Sequence, residues 1–539
     1  MPVIESRIAT GSESFQRNRA ALLEQVAQLR ALEERTRTAS AASKSLFDRR
    51  GQMLPRARLS RLLDPGAPFV ELSTLAGYLM DTPDPDKSIP GGGVITGIGY
   101  VEGVRAMVVV SDAGINAGAM QMGGLDKMLR AQSIALAKKL PFIHLVESAG
   151  ANLLEYRVEH FIHGGSVFCN LARLSAAGIP VITVVHGSST AGGAYMPGLS
   201  DYVVMVRERA RAFLAGPPLL KAATGEIATE EELGGADMHA ATSGLAEYLA
   251  QNDADALRIA RDIVAALGWN RDQPGREDGY AAPLYDAEEL LGIMPADGRK
   301  PVDMREVVAR IVDGSDFLEF KAGYGPATVT GHAALCGHRI GIVTNNGPLD
   351  PAGANKATHF IQACGQSGTP LLFLQNTTGF IVGRESEQAG MIKHGSKMIQ
   401  AVANVGVPRI TLMCGASFGA GNYGMCGRGY QPDFCFSWPN ARTAVMGAEQ
   451  AADTMAAVME AGARRKGQAV DTAALDALRQ KIITTFDRQT GAFHTSARML
   501  DDGVIDPRDT RKLLAFALSV CAEAGRRELR PVQYGVARP

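Results

Sequence analysis

Short runs of Val, Ile and Leu, such as AMVVVSD, FIHLVES and VITVVHG, alternate with stretches of helical periodicity such as DKMLRAQSIALAKKL. Apolar runs of strand length between amphipathic segments predict strands buried on both faces and linked by helical crossovers, so the predicted class is α/β throughout. Ahead of them, Leu22, Leu23, Val26, Leu29 and Leu32 recur at helical spacing among charges and predict an amphipathic packing helix over about 12–35. DPGAPFVELSTLAGY from Asp64 and DGSDFLEFKAGYG from Asp313 each predict a turn leading into a strand, with Glu71 and Glu319 at matched positions. GIGYVEG around Gly97 lacks the third glycine and the helix start of a dinucleotide fingerprint, and reads as a strand–turn–strand hairpin.

The pattern occurs twice. LPFIHLVESAGANL followed by GIPVITVVHGSSTAGGAYMPG in the first half corresponds to TPLLFLQNTTGF followed by GVPRITLMCGASFGAGNYGMCG in the second. Pro180 matches Pro408, Gly193 matches Gly421 and Tyr195 matches Tyr423, all at one constant separation. Each copy ends its buried strands in turns of small residues: Ser148-Ala149-Gly150-Ala151-Asn152 and Thr190-Ala191-Gly192-Gly193-Ala194, then Ser417-Phe418-Gly419-Ala420-Gly421-Asn422. Such turns leave backbone N–H groups bare at a helix start, where they can hold a developing negative oxygen. Two such sites imply two oxyanions.

Between the copies lies GWNRDQPGREDGYAAPLYDAEELLGIMPADGRKP, rich in Pro, Gly and charge, which predicts a domain boundary between about 270 and 300 and domains over 1–275 and 290–539. A chain of 539 residues exceeds what one core holds. With 55 Lys and Arg against 56 Asp and Glu and no basic block, the footprint of a nucleic-acid binder is missing. The seven cysteines form no C-x-x-C pair, and no apolar run reaches membrane-spanning length. MPVIESRIATGSESF has neither the apolar core of a signal peptide nor the acid-poor makeup of a transit peptide. The expectation is an intracellular, soluble protein, cytoplasmic in a bacterium or in the mitochondrial matrix of a eukaryote.

One motif competes with the backbone reading. Gly415-Ala416-Ser417-Phe418-Gly419 satisfies the G-x-S-x-G pattern of a hydrolase nucleophile elbow, although Ser417 aligns with an ordinary Ser189 in the first copy. No G-x-x-x-x-G-K-[ST] loop is present, and the histidines show no metal-ligand spacing, so neither ATP nor a metal is expected here. Two oxyanion sites with no evident protein nucleophile suit thioester enolate chemistry, where one such N–H donor is worth roughly 3–4 kcal/mol.

Together, FDRRGQMLPRARLSRLLDPGAPFVEL, LRAQSIA, GIPVITVVHGSSTAGGAY, FLAGPPLLKAATGE, NNGPLD, GASFGAGNYGMCGR and FSWPNARTAVMG resemble the carboxyltransferase β subunits of biotin-dependent acyl-CoA carboxylases. The resemblance implies two tandem crotonase-like domains, a duplicated β-α spiral, with acyl-CoA bound on the N-terminal side and biotin on the C-terminal side. It implies that biotin, carried on a separate biotin carboxylase/biotin carrier α subunit, delivers the carboxyl group and supplies the base. Carried over by motif, the N–H groups of Ala149 and Gly150 hold the acyl-CoA enolate oxygen. Thr190, Ala191, Gly192 and Gly193 line the CoA side, and Phe418, Gly419, Ala420 and Gly421 receive biotin, the last three holding its ureido oxygen. Sites at a dimer interface and a homohexameric core of an α6β6 complex follow from the same likeness, as does a chain without ATP-grasp or biotin-attachment segments.

FLAGPPLLKAATGE and ELGGADMHAATSGLAEY resemble the methylcrotonyl-CoA and geranyl-CoA branch. Methylcrotonyl-type members carry a bulky aromatic in the segment aligned with His163-Gly164-Gly165-Ser166, where geranyl-type members carry Gly, so Gly164 makes a geranyl-like acyl group the first expectation, 3-methylcrotonyl the second and propionyl the third. The chain departs from related members at Ile115–Met120, where Lys-Gly-Gly is usual, and at Ala149, which still offers an N–H. A decarboxylase subunit of the same fold and a non-catalytic crotonase-fold scaffold are the rival readings.

Overall fold

The computed structural model describes residues 2–119, 121–148, 157–269, 279–296, 300–465 and 472–536. The first half opens with strand β1 (Val70–Leu72), antiparallel to β2 (Val94–Val101), which pairs with β3 (Val104–Ser111). The β2–β3 turn carries Glu102 at φ 51° and Gly103 at φ 73°, the two positive values a two-residue hairpin turn demands. The Asp64 carboxylate accepts hydrogen bonds from both of their N–H groups, at 2.9 and 2.7 Å. This is the hairpin expected from GIGYVEG.

From β3 onward the pairing is parallel. Helix Met122–Lys138 leads to β4 (Phe142–Ser148), and helix Val158–Ala176 leads to β5 (Val181–Thr190). Strands β6 (Tyr202–Val206), β7 (Arg211–Phe213) and β8 (Tyr248–Ala250) complete a sheet of order β1-β2-β3-β4-β5-β6-β8, with β7 paired to β5. Every residue of β3 and β4 is buried, as strands sandwiched between helices must be. Val108, Leu145, Val184, Val204 and Leu257 belong to the resulting core.

The second half repeats the plan. Strands β9 (Leu318–Glu319), β10 (Thr328–Leu335) and β11 (His338–Asn345) are antiparallel, and Asp313 accepts from the Cys336 and Gly337 N–H groups of the hairpin turn, both at 2.8 Å. Parallel strands β12 (Leu371–Thr377), β13 (Arg409–Phe418), β14 (Phe434–Ser437) and β15 (Arg442–Ala444) follow, in the order β14-β13-β12-β11-β10-β9, with β15 on β13. The matched glutamates do matched work. Glu71 takes a bidentate pair from Arg56, 2.9 and 2.9 Å, and Glu319 takes one from Arg305, 2.8 and 2.7 Å. Each pair faces a buried lysine, Lys127 or Lys356.

Two compact units result, and they exchange their ends. One comprises Met1–Leu29, Arg276–Ser496 and Leu500–Cys521; the other comprises Arg30–Gly275, Ala497–Met499 and Ala522–Pro539. The predicted amphipathic helix runs longer than expected, Glu13–Ala41, so the unit division falls within it. Its Leu22 and Val26 pack on Leu291, and Asn18 donates to the Gly292 carbonyl. At the other end, Val532 N–H donates to the Ala176 carbonyl and Glu523 pairs with the buried Arg105 at 2.8 Å. Among the described residues no helix is long and apolar enough to cross a membrane.

Lys127 is fully buried with its ammonium on the Val94 carbonyl at 2.7 Å, and burial pushes it down from 10.5 to about 8 against the pull of Glu71 and Asp112. The unfolded chain keeps that proton up to about 10.5, so unfolding takes up a proton between these values and stability rises with pH there. Wild type should therefore gain stability relative to Lys127→Met between pH 8 and 10, measured by urea unfolding at each pH. A difference constant across that window would show that the lysine does not titrate there.

Candidate active site

The site elements are the C-terminal ends of the central parallel strands, where β4–β5 in one unit and β12–β13 in the other break their register. The pairing shifts between Val146 and Ser148 against β5, and between Gln375 and Thr377 against β13. Ser148 pairs with Ser189, and Thr377 with Ser417. After β5 and β13 the chain leaves the sheet in small-residue turns. Ala149 and Gly150, with the rest of 149–156, lie outside the described residues.

In the first unit, β5 ends at the half-buried Thr190, and Ala191 follows at φ 53°. Gly193 is buried, with the Ser189 hydroxyl donating to its carbonyl at 2.8 Å. Gly192 is exposed beside Phe168, whose ring meets Tyr195 edge-on at 5.9 Å. An open apolar cavity of about 500 Å³ lies against this turn, lined by Tyr195, Phe213, Leu220, Leu233 and Leu245 among others. Gly164 sits inside helix Val158–Ala176, and a Cβ there would meet nothing nearer than Leu125 Cδ2 at 3.9 Å. Its neighbours Phe161 and Ile162 are 69% and 68% exposed.

In the second unit, Phe418 ends β13 opposite Ala444. The Gly419 N–H donates to the Ala444 carbonyl at 2.9 Å, so of the three N–H groups expected to face a ligand, that of Gly419 is already taken. Those of Ala420 and Gly421 have no acceptor among the described residues. Gly421 lies so close to the preceding strand end that a Cβ would fall 2.7 Å from Gly379 Cα and 3.0 Å from Thr377 Cγ2. This is a cradle only glycine fits.

The nucleophile-elbow reading fails on geometry. Ser417 lies within β13 rather than at a turn, is fully buried, and hydrogen-bonds Gln375 and Asn422, with no imidazole bonded to it among the described residues. Among the described residues no group of three His, Cys, Asp or Glu is arranged to hold a metal ion.

A buried ionic cluster behind the first strand end escaped the sequence reading. Arg58, 1% exposed, donates to Glu147 at 2.6 Å and to Asp253 at 2.9 Å. Asp253 also accepts from His186 Nδ1 at 2.9 Å and from the Met53 N–H at 2.7 Å, and Gln52 donates to Glu147 and to the His186 carbonyl. Burial opposes the Asp253 charge, but the His186 hydrogen bond and the Arg58 charge outweigh it and hold the carboxyl well below its usual range. Burial, helped by Arg58, pushes the His186 imidazole below its ordinary value against the pull of Asp253. The available signal was Glu147 itself, the one carboxylate in the buried strand FIHLVES.

The carboxyl transferase domain family matches residues 48–533. The chain is 51% identical over 474 residues to a probable biotin-dependent acyl-coenzyme A carboxylase β2 subunit of Mycobacterium tuberculosis, covering 88% of each protein. It is 48% identical over 492 residues to the biotin-dependent 3-methylcrotonyl-coenzyme A carboxylase β1 subunit of the same organism, covering 91% of this chain and 92% of that one. The crystal structure of the geranyl-CoA carboxylase β subunit of P. aeruginosa superposes with a TM-score of 0.93 at 53% identity, covering 99% of this chain and all of the other.

Proposed function

The chain belongs to the carboxyl transferase family as the β subunit of a biotin-dependent acyl-CoA carboxylase, with a fold of the crotonase superfamily, and from that premise we propose that it carboxylates a branched unsaturated acyl-CoA, geranyl-CoA before others. The observation that carries the choice is Gly164. A Cβ at this residue would meet only Leu125 Cδ2, at an ordinary contact distance of 3.9 Å, in a helix that also carries the exposed Phe161 and Ile162, and an aromatic side chain there would take room that a long acyl tail needs. Likeness to the geranyl-CoA carboxylase β subunit supports the same reading. The 48% identity to a 3-methylcrotonyl-CoA carboxylase subunit favours 3-methylcrotonyl-CoA as the second candidate, ahead of propionyl-CoA.

Within this reading the first unit is the acyl-CoA side and the second the biotin side. Ala149 and Gly150 hold the enolate oxygen of the thioester, and the turn Thr190–Gly193 lines the CoA path. The residues at the second turn fit biotin: two N–H groups without acceptors stand over a cradle that a Cβ would fill. Carboxylated biotin, brought by a partner α subunit, supplies the carboxyl group and the base. What this chain does is orient the two reactants and stabilise negative charge through backbone dipoles, which accounts for a site built of Gly and Ala. The Ala420 and Gly421 N–H groups receive the ureido oxygen, with Phe418 and Gly419 shaping the approach. Self-association, as a homohexameric core with paired sites, is part of the proposal. It is supported by the apolar surface that Phe161, Ile162 and, in the other unit, Val445 and Val458 leave exposed.

The test is ATP- and bicarbonate-dependent carboxylation by this chain with its co-purifying biotin-bearing subunit, on geranyl-, 3-methylcrotonyl- and propionyl-CoA. Geranyl-CoA should give the highest kcat/KM, and Gly164→Phe should shift preference toward the shorter tails; an unchanged profile in that variant would remove the pocket assignment. Gly421→Val should abolish carboxylation while leaving acyl-CoA affinity, read by calorimetry, within about threefold. Normal turnover in it would refute the role given to the second turn.

A further inference from the structure

Gly164 takes its place from two helices that are anchored very differently. Helix Met122–Lys138 is fastened along its first turns. A Cβ at Gly123 would fall 2.7 Å from Gly77 Cα, one at Gly124 would run into the Gly92 carbonyl oxygen, and Leu125, Lys127 and Met128 are buried. With main chain packed against main chain, this helix start has no room to shift. Helix Val158–Ala176 is the opposite case. Its first buried residue is Val167, and every residue over 158–166 is exposed or half-buried. Helices in proteins are held chiefly by the apolar face they bury, and the opening turns that carry Gly164 bury none.

What fastens these turns among the described residues is polar. A hydrogen bond joins His163 Nε2 to Asp126 Oδ1 at 2.9 Å. Deeper in, Gln132 Nε2 donates to the Val167 carbonyl at 3.0 Å. Gly164 falls between the two bonds. The atom nearest to a Cβ built there is Cδ2 of Leu125, the residue next to Asp126. The carboxylate that holds the loose helix and the side chain that meets Gly164 are therefore consecutive on the rigid one.

The His163–Asp126 bond is poorly placed to stabilise the fold, because its side chains are 43% and 31% exposed and solvent takes most of the worth of such a pair. Position is what it supplies. Without it, no side chain over 158–163 bonds to the rest of the chain among the described residues. Phe161 and Ile162, turned outward, give the helix no grip on its own core. A subunit covering them would press from outside, whereas the bond to Asp126 fixes the helix from within.

We propose that the Asp126–His163 pair is a specificity-determining tie: it holds the Gly164 turn against Leu125 and so fixes the wall on which a long acyl tail packs. The inference rests on the assignment of Gly164 made above. Both residues act through the helices they join, as positioning residues. A short tail packs on less of that wall, so loss of the tie falls on the long substrate. Tail contacts are the same before and during the chemical step, which puts the loss in KM rather than in kcat.

The experiment is steady-state carboxylation of geranyl-CoA and 3-methylcrotonyl-CoA by the assembled holoenzyme carrying Asp126→Ala, with the melting temperature measured alongside. Asp126→Asn, which keeps a side-chain oxygen for the imidazole, is the rescue. Asp126→Ala should raise KM for geranyl-CoA about 3- to 10-fold, with kcat and the KM for 3-methylcrotonyl-CoA within about twofold and the melting temperature unchanged. Asp126→Asn should stay within about twofold of wild type on both substrates. A geranyl-CoA KM that does not move, or equal losses on the two substrates, would overturn the proposal. If Asp126→Ala does not fold, His163→Ala and its rescue His163→Gln decide by the same measures. Gly164→Phe separates the two assignments. A chain-length profile altered by Gly164→Phe but not by Asp126→Ala would sink only the tie. No turnover of geranyl-CoA by wild type, or a profile that Gly164→Phe leaves unchanged, would sink the Gly164 assignment itself.

Discussion

At the end of β13 the backbone of Gly421 passes so near that of Gly379 that a single added carbon would stand 2.7 Å from the other residue's Cα. This contact of main chain against main chain is the constraint from which the site follows. Parallel strands end side by side, the chain must turn at once into a helix start, and any Cβ in the seam would prise the turn from the sheet. With the seam closed, the N–H groups of Ala420 and Gly421 find no acceptor among the described residues, and a site composed of dipoles results. Backbone dipoles keep their direction irrespective of pH. That suits chemistry whose proton acceptor arrives with the other reactant.

The duplication shows which features the architecture needs and which have been free to diverge. Asp64 and Asp313 hold the hairpin turns by the same pair of hydrogen bonds, and Arg56–Glu71 and Arg305–Glu319 repeat one bidentate geometry. These devices set up the first three strands of each sheet. At the strand ends the copies part ways. Glu147 stands in an ionic cluster where Asn376 makes a simple amide contact, and Ser417 hydrogen-bonds Gln375 and Asn422 where Ser189 donates to the Gly193 carbonyl. These differences lie at the strand ends to which the proposed function assigns different reactants.

Much of this is legible in the sequence. The apolar runs marked β3, β4 and β5 because strands covered on both faces leave little room for polar residues, and GIGYVEG marked its hairpin because only a tight turn fits between two such runs. The small-residue turns were visible because they recurred. Three things were not. The helix over Glu13–Ala41 extends beyond its apolar stripe because tertiary packing carries it past Leu32, with Thr36 and Ser40 also buried. Arg58, Glu147, His186 and Asp253 come from segments far apart in sequence, and no periodicity links residues that meet only through the fold. The bond from Gly419 to Ala444 depends on β15 pairing with β13, a long-range contact that a local glycine pattern does not encode.

The exchange of chain ends between the two compact units bears on how such a molecule could arise and be dissected. Each repeat is recognisable in sequence, yet neither compact body is a contiguous stretch of it, because Met1–Leu29 belongs with the later repeat and Ala522–Pro539 with the earlier one. A gene fragment ending at the connection would encode a body lacking its closing segment, together with a leading segment severed from its own core. Duplication alone would yield two separable halves. Here the ends have been interlaced, and the smallest piece that retains both complete cores is nearly the whole chain.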